Sequence, residues 1–196
     1  MNYTAVAESG KLLVQLLRSQ LTPETVINPD HIGLCSPAEK GDLEVGIHLY
    51  DLKESEDFRQ QSMTMADTST QKYPSTYLSL YYMITAYSNG DIKYRSEEEQ
   101  RILGKVVQVL ADYPALGSDR LISSLPGGGI APVLTMLNLS LEEKLRVWNV
   151  PNSAYKTSLF YKLGPLEIES ARIRKAKRVV DIDMTVAQRG ADSHRI

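Results

Sequence analysis

A single cysteine, Cys35, occurs in 196 residues. That excludes an intramolecular disulfide framework and any cysteine-rich zinc site, and it fits folding in a reducing compartment. Aromatic residues other than tyrosine are scarce: two Phe and one Trp stand against 11 Tyr. Tyrosine suits half-buried sheet faces and interfaces, where one end of the ring is apolar and the other wet. Neither sign of charge prevails, because 22 Lys+Arg meet 24 Asp+Glu for a net charge of -2. Such a balance argues against a chain that coats nucleic acid wholesale. No apolar run approaches the length of a membrane span. The longest near the start, Leu12-Leu13-Val14, is broken by Gln15. With no basic residue before Lys11 and no small-residue cleavage site after the run, no signal peptide is expected. What is present, 42% apolar and 23% charged residues, is ordinary for a globular chain. The length suffices to bury a core without disulfides or metal.

Apolar spacing predicts a helix over Ala5 to Leu21, stopped by Thr22-Pro23. Asn28-Pro29-Asp30 marks a turn, and Leu43 to Leu52 alternates as a strand with Val45, Ile47 and Leu49 on one side. Lys53 to Tyr73 is polar and nearly aperiodic, which reads as a long loop that orders on assembly. Ser75 to Tyr87 is the strongest strand pattern, and neither of its faces carries much charge, so both are expected to be covered. Ser96-Glu97-Glu98-Glu99 reads as a capping box that starts a helix ending at Pro114. Val133 to Leu139 alternates again. Ser140 to Glu143 is a second capping box, with Leu141, Leu145 and Trp148 following at helical spacing. Tyr155 to Leu163 is a strand that continues past Gly164-Pro165. These elements describe one α/β or α+β domain: a mixed sheet flanked by three helices, over residues 1–170. An extended C-terminal arm, 171–196, follows. The arm opens with a basic cluster, Arg172, Arg174, Lys175, Lys177 and Arg178, and goes on to alternate Val180, Ile182, Met184 and Val186 against Asp181, Asp183 and Thr185.

No constellation for catalysis or metal binding emerges. His31, His48 and His194 have no metal-ligand spacing and read as structural or surface residues. Gly127-Gly128-Gly129 lacks the Lys-Ser/Thr of a phosphate loop and the spaced glycines of a dinucleotide fold. Cys35, beside Ser36-Pro37, has no placed base. No cofactor is expected. The basic cluster alone could meet nucleic acid phosphates, but no stacking aromatics accompany it.

Three blocks carry a family resemblance: Pro74 to Tyr87, Glu99 to Pro114, and Ser140 to Trp148 followed by Tyr155 to Tyr161. In this order, over about Ala5 to Ser170, the chain resembles the cap, or tail-terminator, family of phage-tail-like contractile injection systems. The resemblance implies a non-enzymatic protein assembled in the bacterial cytoplasm as part of a particle that can be released. It implies a hexameric ring on the distal end of the inner tube, ending tube growth and holding the last sheath ring. The expected partners are copies of itself, the sheath protein and the inner tube protein, with no membrane. The arm is the candidate partner-binding element, because an alternating strand can pair with an exposed sheet edge. The alternatives are a completion or connector protein of a true phage tail, a nucleic-acid-binding module using 172–178, and an enzyme with an unread site.

Overall fold

The computed structural model describes residues 3–59, 62–65, 70–116, 131–149 and 153–175. The expected helix forms as α1, Ala5–Leu21. It buries Leu12, Leu13, Leu16, Leu17 and Leu21 along one stripe, as that spacing demands. A short 3-10 turn, Pro29–His31, leads into β1, Ile32–Leu34, which pairs in parallel with β2, Val45–Glu54. The long strand β5, Thr76–Ala86, lies antiparallel to both β2 and β7, Ser158–Ile168. β6, Val133–Met136, closes the other side of β7, so the mixed five-stranded sheet has the order β1-β2-β5-β7-β6.

Alternation places Val45, Ile47, Leu80, Tyr82, Ile84, Tyr161, Leu163 and Leu166 on one face, packed beneath α1 and α2, Arg95–Asp112. α2 contributes Ile102, Leu103, Val106, Val109 and Leu110 to this main core. The opposite face holds a smaller cluster, Met83, Tyr87, Phe160 and Trp148. Both faces of β5 are therefore covered, as its lack of charge requires. A buried hydrogen bond, Thr85 Oγ1 to Ser158 Oγ at 2.7 Å, joins β5 to β7 on the second face. Gly46 is dictated by close approach there, since a Cβ would meet Cys35 Sγ at 2.7 Å.

Three expectations need correction. Ser96 does not cap α2. A turn built on Asp91 feeds the helix from Arg95, and Tyr94 occupies the cap position without a side-chain bond. Glu98 and Glu99 serve instead as acceptors for Ser88, and Glu99 also for Lys156 at 2.5 Å. The polar stretch 53–73 is not one long loop. β2 runs to Glu54, and β3, Thr64–Met65, pairs with β4, Thr70–Lys72. β4 then pairs with β8, Ile173–Lys175, to make a second, three-stranded sheet. Finally, α3, Leu141–Val147, buries none of its own residues. Its capping box is complete, Ser140 Oγ accepting from Glu143 N and Glu143 from Ser140 N, and such a cap contributes about 1 kcal/mol. Yet Leu141 is 64% exposed and Leu145 is exposed with it; Val147 at the helix end, half-buried, and Trp148 just past it reach the core.

Candidate assembly interface

Glu24, Glu44, Glu98 and Arg101 line a shallow cleft beside the start of α2 that also holds Ser88. Burial pushes the Cys35 thiol up, with Lys40 opposing only in part, so the thiol stays protonated and is a poor nucleophile. Burial pushes His48 down, against a hydrogen bond to the Cys35 backbone, and favours its neutral form. His31 Nδ1 lies 2.7 Å from Glu44 Oε1, a hydrogen bond that ties the turn before β1 to the residue before β2. Lys156, Glu99, Ser88 and Glu98 form a clasp between the end of β5, the start of α2 and the approach to β7. That is a structural role. Among the described residues no group of His, Cys, Asp and Glu could hold a metal ion, and no helix is long and apolar enough to cross a membrane. His194 and Gly127 to Gly129 lie outside the described residues.

Surfaces for contact are plentiful by comparison. Among the described residues the second sheet adds nothing to either core: every residue of β3 and β8 is exposed, Ile173 at 65%, and those of β4 are half-buried. Of the predicted arm residues, Arg174 and Lys175 lie on β8 and Arg172 just before it. Arg172 stacks 4.2 Å from the centre of the Tyr73 ring, and its carbonyl accepts from Tyr73 N. Lys72 pairs with Glu169 at 2.9 Å, holding the sheet to the end of β7. Lys177, Arg178, Val180, Ile182, Met184 and Val186 lie outside the described residues.

The two edges of the main sheet differ. On β6, Leu134 N donates to Pro114 O and Leu116 N to Pro132 O, so the segment after α2 covers that edge. On β1, the bonds from Glu44 N to His31 O and from Cys35 N to Ile47 O point inward, which turns the Ile32 and Leu34 backbone outward. Arg18 Nε caps the Ile32 carbonyl at 2.9 Å, and Leu34 is left as an open step. Beside it runs an apolar groove of about 490 Å³ between α1 and the sheet, lined by Val6, Gly10, Leu34, Ile47, Leu49 and Tyr82. Sequence reasoning missed this groove. Its one local signal is Gly10 inside a helix, where a Cβ would come within 3.0 Å of Leu34 Cδ1.

A molecule with an open edge and an exposed basic sheet offers the surfaces of an assembly subunit. The family model for the Pvc16 N-terminal domain matches residues 10–182, and the chain belongs to that family. Two solved structures share its fold. One, described as the PVC sheath/tube terminator of an extracellular contractile injection system in the extended state, aligns with a TM-score of 0.69 at 17% identity, covering 98% of this chain and 67% of that one. The other is the anti-feeding prophage cap, a tube terminating cap, with a TM-score of 0.60 at 14% identity, covering 91% of this chain and 60% of that one. The chain thus spans about two thirds of the first and three fifths of the second. No curated protein matches it by sequence.

Proposed function

We infer that this chain is a non-enzymatic terminator, or cap, of the tube and sheath of a contractile injection system. The observation that carries the reading is membership of the Pvc16 N-terminal domain family over residues 10–182. The fold shared with a sheath/tube terminator and with a tube terminating cap supports it.

Physics supplies the mechanism. A polymer tip stops growing when the subunit seated on it presents a different outer face. A ring of identical subunits needs two complementary patches on each, so that the rotation closes with no free end. We take the ring to be hexameric, assembled in the cytoplasm and carried in the particle. The second sheet and the basic stretch that continues from it, Arg172, Arg174, Lys175, Lys177 and Arg178, are assigned to the sheath and tube. A row of cations suits an acidic protein surface, and a sheet without a core gains stability when a partner covers it.

Electron microscopy of particles bearing a tagged copy tests the assignment. The tag is expected at one end only, opposite the baseplate. Tags along the whole particle, or particles without tags, refute it.

A further inference from the structure

We propose that the open edge of β1 and the groove beside it receive residues 180–186 from a second copy of this chain. The contact rests on the ring reading above and names one of the two patches such a ring needs.

The site offers what an added strand requires. Among the described residues no strand pairs with the outward N–H and C=O of Leu34, whereas the β6 edge is bridged at Val133 and Leu134. The groove is lined chiefly by apolar side chains from α1 and the sheet, with Cys35 and His48 also on its wall. The other side of the edge carries Lys40, whose ammonium bonds the Gly41 carbonyl at 3.0 Å, lies 5.3 Å from the centre of the Tyr87 ring and has no carboxylate partner among the described residues.

The arm matches this asymmetry. An extended chain turns alternate side chains to opposite faces. Val180, Ile182, Met184 and Val186 would face the groove together, and Asp181 and Asp183 would face Lys40. A strand with the opposite alternation, or with charge on both faces, would not fit.

Reach favours a second copy over the chain's own arm. Leu34 pairs with Ile47 and Ile47 with Ile84, which lies eight residues along β5 from Thr76, the partner of Ile168. That is roughly 26 Å along the strands and about 14 Å across three strand spacings. The second sheet, where the described chain ends at Lys175, is tied to the Thr76–Ile168 end through Lys72 and Glu169. The five residues from Lys175 to Val180 span at most about 18 Å when fully extended.

The test titrates a fluorescent peptide of residues 176–190 with the full chain at nanomolar concentration, read by anisotropy. Saturable binding is expected. Ala7→Trp places a large ring at the groove from an exposed position on α1, so the fold is retained and its melting temperature checks this. It should weaken binding at least tenfold. A peptide carrying Ile182→Asp and Met184→Asp should bind no better than a scrambled one. Absence of saturable binding, or binding that Ala7→Trp leaves intact, overturns the proposal. A full chain with the same two substitutions in its own arm should bind the wild-type peptide as the unaltered chain does. Should the unaltered chain bind tenfold more weakly, its own arm fills the groove and the second copy is excluded. The cap assignment is read separately, from the tag on particles. A chain that caps particles normally but fails the titration overturns the arm contact alone.

Discussion

The two sheets of this protein are built from the same backbone hydrogen bonds and differ in what lies against them. The five-stranded sheet has α1 and α2 on one face and the Trp148 cluster on the other. Its strands β5 and β7 are each 11 residues long and run through buried side chains. The three-stranded sheet has strands of two and three residues, with Met65 and Ile173 exposed. Pairing alone leaves strands near the margin of stability, and burial of an apolar face supplies the rest. The first sheet therefore has both faces covered within one chain, with its β1 edge left open. The second lends no residue of β3 or β8 to either core.

The largest effect that can break this comparison is a cavity under the main sheet. Leu16 is 2% exposed, and Leu16→Ala should lower unfolding free energy by about 3 kcal/mol in a denaturant titration. A loss under about 1 kcal/mol would mean the core relaxes freely. Next comes alkaline pH. Burial holds the Tyr82 hydroxyl well above its ordinary range and raises Tyr50 and Tyr87 to about 12. The unfolded chain therefore loses these protons first as pH rises past 10, and the native state binds more protons than the unfolded one. Stability must fall from pH 10 upward toward 12. A melting temperature flat across that window would show that these rings do not stay buried. The smallest effect belongs to the second sheet: Ile173→Ala should change the stability of the free chain by less than about 0.5 kcal/mol. A larger loss would reveal packing that exposure does not suggest, and it would turn the contrast between the sheets into one of degree.

How far each region could be read from the sequence follows the same division. Ala5 to Leu21 was legible to the residue because its leucines recur at helical spacing and face one core. β5 and β7 were legible because their alternation is long. The Ser140 box formed because, among the described residues, Ser140 and Glu143 hydrogen-bond only to each other through their side chains. The Ser96 box failed because Ser88 and Lys156, distant in sequence, arrive beside Glu98 and Glu99 in the fold. The second sheet was hidden because strands of two or three polar residues leave no period to detect. The groove was hidden for another reason: α1, β1, β2 and β5 each supply a wall, and no local pattern records their meeting. The basic cluster could be placed on a strand by alternation, and Ile173 to Lys175 is one.

Trp148 has a consequence in optics. It is the chain's single tryptophan, it is 6% exposed, and its indole N–H is buried without an acceptor among the described residues. Its neighbours are Met83, Tyr87, Phe160 and Tyr155, the last edge-on at 5.9 Å. An indole so enclosed emits toward the blue, and it stands where α3 joins the rest of the molecule. The unlabelled protein thus carries one native fluorophore at one known address. Any event that lifts α3 away shifts the colour of its emission, while an event confined to the second sheet leaves the spectrum unmoved.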